Sequence, residues 1–328
     1  MAIVGSELKF YQSKVVNDTT SNGGRISTTL ITSGLSNSWW PNYTESQLAA
    51  GATQWRKSFL RIDNANDYVG SNCRIGLRVP TVGADKLYIA KGTQTDIQSG
   101  TGTLALCGAG KLNAGVVTGA STITVLVEDG AVVIFRTGEL IRISDQVMSV
   151  VGGVVTVMKV IDTVSTTGSV TTLTLTSALS YDFSATNTYV SSLIEESTVT
   201  GTTTGKVVTS TAGTFTEANM TVGNLGSLYQ VLTFTFTSAS AFTCTSDEVT
   251  FTTPTGSISS TYAPTNVGVG ASYFSVDPAC WGGTFAPGNT VVITTIPPCI
   301  PVWEKRVVGS GTSAIASQVR TLMVFVES

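Results

Sequence analysis

"FRTGELIRISDQVMSVVGGVVTVMKVIDTVSTTGSVTTLTLTSALSYDF", residues 135–183, carries the pattern that decides the fold. In "GELIRISD" Leu140 and Arg142 fall on one side of an extended chain and Ile141 and Ile143 on the other, the two-residue period of a strand. "VVTVMKVID" and "SVTTLTLTS" repeat the alternation, and the segment between them, "TVSTTG", reads as their turn. Upstream, "STITVLVED" (121–129) is a further strand. Downstream, "YDFSATNTYVSSL" (181–193) adds Tyr181, Phe183 and Tyr189. Runs of about five to eight residues separated by Gly, Ser and Asp are the signature of a small antiparallel barrel or sandwich.

Outside this stretch the same reading holds with local exceptions. In "NDTTSNGGRIS" (17–27), Asn22-Gly23-Gly24 supplies positive-φ positions for a turn. In "SNSWWPNYTESQLAAGATQWRKSFLRIDN" (36–64), Thr44 and Gln47 have the spacing of a capping box, and Gly51 closes one short helical turn. "WRKSFLRIDN" returns to strand, marked by Trp55, Phe59 and Arg61, with a charged polar face. "CRIGLRVPTVGADKLYIAKGTQTD" (73–96) gives two more strands around a Pro/Gly turn. "STVTGTTTGKVVTSTAGTFTEA" (197–218) is the best boundary candidate and carries a strand through Val207 and Val208. "LTFTFT" sets Leu232, Phe234 and Phe236 on one face against threonines. Pro297, Pro298 and Pro301 argue against a central ladder position for the region around them. "SQVRTLMVFVES" reads as a final strand.

These elements predict a mainly β chain of two or three antiparallel sandwich or barrel modules with very little helix. Residues 1–118 form a sandwich-like region with a helical turn near 44–51. Residues 119–200 form a small barrel or sandwich. Residues 201–328 form a third β-rich region that has the option of packing back on the first.

Composition narrows the chemistry. The 328 residues are 42% hydrophobic and 12% charged, the charged share being about half that of an ordinary globular domain. The net charge of −3 offers no electrostatic footprint for a nucleic-acid backbone, so no specific nucleic acid is expected. With no histidine, Ser-His-Asp and Cys-His arrangements, HExxH zinc sites and imidazole switches are excluded. The five cysteines form no CxxC, and they read as small buried hydrophobes of a reducing cytoplasm, with a Cys280–Cys299 bridge as the exception to look for. "GAGKLNAG" lacks the Ser or Thr that should follow a phosphate-loop lysine. "VEDG" and "DNAND" read as turns rather than Ca²⁺ loops. The polar start "MAIVGSELKFYQSKVVNDTT" does not read as a cleaved signal, and "VMSVVGGVVTVMKV" is too short and interrupted to span a bilayer; no membrane insertion is expected. No catalytic, cofactor or metal residues emerge, and the chain is expected not to be an enzyme.

What remains are contact candidates. Arg56 and Lys57, with Arg61, Arg74 and Arg78, form the most basic segment. It reads either as a solvated strand face paired with Glu45, Asp63 and Asp67, or as a contact for an acidic partner. Trp39 and Trp40 are adjacent, so on an extended chain they point to opposite faces and cannot share one core layer. One of them is then exposed or in a subunit contact, or the two are covered by different layers. Trp281 in "ACWGGTF" and Trp303 in "PVWEKR" are candidates for rim or core aromatics, and an exposed aromatic platform would suit a glycan.

The segment "NGGRIS…WWPNYTESQLAAGATQWRKSFLRIDNAN" resembles the amino-terminal part of a family of tailed-bacteriophage virion proteins. The matching features are Pro41, the acidic, alanine-rich turn Glu45 to Gly51, the strand at Trp55-Arg56-Lys57 and the turn at Asn64-Ala65-Asn66. The paired tryptophans depart from the plainer apolar residue expected beside the proline. "GAGKLNAGVVTGASTITVLVED…FRTGELIRISD" and "DPACWGGTFAPGNTVVITT…PVWEKRVV" are similar to two further blocks of siphovirus-like and Mu-like phage structural genes. The resemblance implies a virion subunit made in a bacterial cytoplasm, homo-oligomeric, contacting other phage structural proteins, and most naturally tail- or baseplate-associated. A capsid-surface or neck protein, or an adhesin for a host-surface receptor or glycan, are the alternatives. It transfers no catalytic residues.

Overall fold

A computed structural model describes residues 3–34, 39–81, 83–145, 155–313 and 321–327. The chain is mainly β, 51% strand against 7% helix. The first strands are β1 (Leu8–Val15), β2 (Gly23–Leu30), β3 (Ala52–Ile62), β4 (Gly70–Leu77) and β5 (Asp85–Lys91). The short helix α1 (Glu45–Ala50) forms where its signals stand: Thr44 Oγ1 accepts from the Gln47 N–H, Gln47 Oε1 accepts from the Thr44 N–H, and Gly51 at φ 82° ends it.

The barrel stretch gives β6 (Ala109–Leu112), β7 (Thr122–Val127), β8 (Leu140–Asp145), β9 (Thr156–Thr167), β10 (Val170–Leu175) and β11 (Thr188–Val199). They pair antiparallel in the order β11-β6-β7-β10-β9-β8, and β8 returns to β11 to close the ring. Closure leaves no free edge. Ile141 and Ile143 point inward as the alternation requires, with Leu112, Ile123, Val125, Ile161, Leu173 and Val190. The expected turn "TVSTTG" is instead strand: β9 runs through Thr167, and the hairpin to β10 uses only Gly168 and Ser169. Thr and Val are β-formers, so the chain stays extended until Gly168, at φ 60°, supplies the turn. Residues 146–154, within the strand pattern read above, lie outside the described residues, as do 314–320, where the final strand was expected to begin.

The next strands are β12 (Thr202–Thr209), β13 (Ala212–Phe215), β14 (Met220–Thr221), β15 (Gln230–Phe236), β16 (Ala241–Ser246), β17 (Thr255–Ser257), β18 (Thr265–Asn266), β19 (Ala271–Ser272), β20 (Ser275–Val276), β21 (Trp281–Thr284) and β22 (Thr290–Ile296). A sheet ordered β12-β22-β15-β16-β17 forms the body, with the ribbons β13–β21, β14–β20 and β18–β19 folded against it. Its core is aromatic, and Phe234 is fully buried among Phe215, Phe242, Tyr262, Phe274 and Trp281.

The last strands, β23 (Cys299–Val308) and β24 (Leu322–Glu327), go back to the beginning. β23 sits between β3 and β5 in the sheet β2-β1-β3-β23-β5, and β24 pairs with β4. Pro301 therefore does occupy a central strand, against the sequence expectation. Its carbonyl accepts from the Gly92 N–H, on the side where β5 has already ended at Lys91. The missing proline N–H faces that same side, so only one bond is forgone, at the very end of the β5–β23 ladder. The second sheet, β24-β4-β11, packs on the first through Leu60, Ile62, Ile300 and Val302 against Cys73, Ile75, Leu77 and Ile194. β11 belongs to both bodies, pairing through Thr188–Ser192 with β8 and from Leu193 onward with β4.

Candidate functional site

Five of the six contact candidates converge on the two faces of β3 and β23. β3 is paired on both edges, by β1 and β23, and is covered on both faces. Its charged side chains therefore lie inside the protein: Arg56 is 4% exposed, Lys57 0% and Arg61 6%. For Arg56, Lys57 and Arg61 neither expectation holds, since these three are neither a solvated face nor an open contact for an acidic partner, whereas Arg74 is partly exposed and pairs with Glu195 and Glu327. The burial is tolerated because each cation meets an acid within the chain. Arg56 Nη1 is 2.6 Å from Asp18, Lys57 Nζ 2.6 Å from Asp96, and Arg61 Nε 2.8 Å from Asp63. Of the acids anticipated from the sequence only Asp63 takes part.

On the face carrying Trp55, Lys57 and Phe59, the Lys57 ammonium also donates to the backbone carbonyls of Gly24 (2.6 Å) and Asp96 (3.0 Å). The Phe59 ring centroid is 4.9 Å away and that of Trp303 5.8 Å. Burial pulls the Lys57 pKa down, and the Asp96 carboxylate works against that shift. The other Asp96 oxygen accepts from Trp303 Nε1 at 2.7 Å, so one carboxylate ties the loop after β5 to both β3 and β23. Trp303 fills this layer so tightly that a Cβ on Gly23, itself at φ 109°, would lie 2.7 Å from the indole ring. An unpaired buried ammonium costs several kcal/mol, which is why the three acceptors matter more here than the ring contacts.

The opposite face carries Arg56, Ser58 and, from β23, Glu304 and Arg306. Trp39 and Trp40 both pack here, 6.5 Å apart and inclined at 69°, in one core cluster. The expectation that neighbours must enter different layers fails because residues 39 and 40 form a bend, not a strand. Trp39 Nε1 donates to the fully buried Glu304 at 3.0 Å, and Ser58 donates to the same oxygen at 3.2 Å. Trp40 lies between the guanidiniums of Arg56 (5.3 Å) and Arg306 (5.1 Å). Arg306 stacks on Tyr43 at 3.8 Å and donates to the Pro41 carbonyl at 2.9 Å. The segment 39–43 is thus strapped across the sheet by a cation–aromatic layer. Burial raises the Asp85 carboxyl pKa, with Arg306 opposing.

Trp281 stands apart from the other five, half-buried on β21 against Phe215 at 4.8 Å and Phe242 at 5.1 Å. None of the four candidate tryptophans presents an open platform for a sugar. Glu304, Arg306, Asp96 and Tyr43 are the members that sequence reasoning missed. Asp96 had a signal: Thr93 and Asp96 bond each other's backbone N–H in a capping-type turn at "TQTD".

The remaining motifs settle into structure. "GAGKLNAG" is barrel strand β6 and its exit. Its lysine lines a shallow depression of about 310 Å³ with Leu112, Asn113, Leu126, Ala185 and Thr186. "VEDG" is a turn in which Thr81 donates to Glu128 and Lys86 to Asp129. In "DNAND" Asn64 accepts from the backbone N–H groups of Asn66 and Tyr68. All five cysteines are free and buried, Cys280 and Cys299 included. Among the described residues no three acidic or thiol side chains group as metal ligands, and no helix is long and apolar enough to cross a membrane. No family model, curated protein or solved structure matches the chain.

Proposed function

We propose that this chain is a non-enzymatic structural subunit of a tailed-bacteriophage virion, in the tail or baseplate, acting by self-association and by contacts with neighbouring virion proteins. The observation that supports this reading is where its reactive groups go. The basic and indole side chains of β3, β23 and the 39–43 strap are committed to buried pairs that fix strands from both ends of the chain to one another. The most exposed apolar side chains include those of a strand margin and a hairpin tip. β12 ends its sheet with Val207 57% exposed, and the β18–β19 hairpin shows Val267 at 80% and Val269 at 46%. Exposed backbone edges with small apolar side chains suit many weak, additive contacts, which become firm when symmetry repeats them. The kind of particle comes from the resemblance of the three sequence blocks.

The test is direct. Native mass spectrometry of the purified chain is expected to give a closed oligomer, and peptide mapping of purified particles is expected to recover the chain in multiple copies from tails. A strict monomer absent from particles overturns the proposal, and recovery only with heads or necks relocates it.

A further inference from the structure

The third β-rich region turns a nearly uncharged sheet face to solvent. Between Gly201 and Pro298 the charged residues are Lys206, Glu217, Asp247, Glu248 and Asp277. Asp247 and Glu248 pair with Arg25 and Lys14 of the first sheet, and the Lys206 ammonium donates to the Phe215 carbonyl at 3.1 Å. The register of β12, β22, β15 and β16 sets the middle row of the face as Val207, Val292, Thr233 and Thr245. The rows on either side add only threonine and valine from β12, β22 and β15, with Asp247 at one corner held by Arg25. Val207, Val231 and Val292 lie outside the aromatic cluster that fills the other side of the sheet. The margin of the sheet is guarded, whereas the face is not. The ladder at β12 is broken between Thr204 and Val207, with Gly205 at φ 67° and Lys206 in the break. Bulges and lysines blunt a sheet edge against addition of a further strand.

We propose, resting on the self-association put forward above, that this face is where two copies of the chain meet, sheet on sheet about a twofold axis. A twofold contact sets one patch against itself. On a charged patch that opposes like charges, which is costly, whereas here it opposes methyls and hydroxyls. A charged partner finds nothing to pair with, and loss of charge is what marks the core of an interface. Rows of β-branched side chains interdigitate when two sheets stack about 10 Å apart. At ordinary strand spacing and rise the four strands offer about 400 Å² per copy, against about 800 Å² per partner in a self-sufficient interface. The contact is therefore weak alone and becomes firm when a closed assembly repeats it beside others.

The full chain should be followed by sedimentation velocity over a dilution series. Wild type is expected to self-associate, and Val292→Lys, at the centre of the face, should raise the concentration needed at least about tenfold. Val292→Glu should do the same. An equimolar mixture of the two variants should assemble at least as well as wild type, because the twofold axis sets each lysine against a glutamate. Thr245→Lys, at an exposed position, gives the readout if Val292→Lys fails to fold. Wild-type association that survives unchanged in Val292→Lys and Thr245→Lys overturns the face and leaves the self-association reading standing. A wild type that stays monomeric at every concentration overturns the pairing of copies. Loss of the variants, but not of that monomeric wild type, from purified particles would then identify another virion protein as the occupant.

Discussion

β15 and β3 are both strands of antiparallel sheets, yet their residues are arranged by different rules. In β15 buried and half-buried positions alternate without a break from Gln230 to Phe236. In β3 every residue from Gln54 to Ile62 is buried, Arg56, Lys57, Ser58 and Arg61 among them. β15 turns one face to an aromatic core and the other toward solvent, so polarity reports position. β3 is enclosed on both faces, so polarity reports only which partners are close. One region is held by ring packing, the other by ion pairs laid down inside a sheet, and each makes its own prediction about what breaks it.

The largest effects should come from removing the element that each region depends on. Asp96→Ala strands the Lys57 ammonium and the Trp303 N–H together, and the expected loss is about 3–5 kcal/mol in denaturant unfolding. Lys57→Met should cost clearly less, because the Asp96 carboxylate is 21% exposed and can take up water. If the two variants are equally damaging, the asymmetry between buried cation and half-wet anion is wrong. Phe234→Ala in the ring cluster should also cost about 3–5 kcal/mol, through cavity formation. Its damage should stay among the aromatic neighbours and leave hydrogen-exchange protection of β3 unchanged.

Alkaline pH offers a milder contrast. Burial raises the thiols of Cys73 and Cys107 from 9.0 to about 11. The unfolded chain ionises them above pH 9 while the folded chain keeps its protons, so stability present below pH 9 is lost as pH climbs toward 11. Lys57 and Arg142, whose pKa values are lowered, act in the opposite sense in the same range, but burial raises the thiols of Cys244, Cys280 and Cys299 as well, and these add to the loss. The urea midpoint should therefore fall from pH 9 to 11, and the Cys73→Ala, Cys107→Ala double variant should flatten that slope. An unchanged slope would mean that other groups govern the alkaline limb.

How much of this was legible in the sequence follows from the same contrast. The β class, the alternation of Ile141 with Arg142, the Leu232–Phe234–Phe236 face and the α1 caps could all be read, because each depends on neighbours close in sequence. The return of Cys299–Val308 to the centre of a sheet begun by residue 8 could not, because nothing local marks a partner so distant. That return also hid the site. Trp303 meets Lys57 only when β23 lies beside β3, and Glu304 meets Trp39 only across the same seam. Pro301 misled because a proline rule that speaks of central strands does not say where the neighbouring strand stops.

The smallest expected effect tests the strap by itself. Arg306→Lys keeps the charge near Asp85, so any change must come from the shape of the head group. The guanidinium plane stacks on Tyr43 at 3.8 Å, approaches Trp40 and donates to the Pro41 carbonyl, whereas an ammonium is a compact point charge that cannot stack. The cost should be about 1 kcal/mol. Because α1 follows directly on the strap, faster hydrogen exchange should appear from residue 39 to Ala50 and stop at β3, whose ladder does not use the Arg306 side chain. Faster exchange spreading into β3 and β5 would show instead that the strap and the sheet open as one unit, and the cation–aromatic layer would then be part of the sandwich core rather than a clasp laid over it.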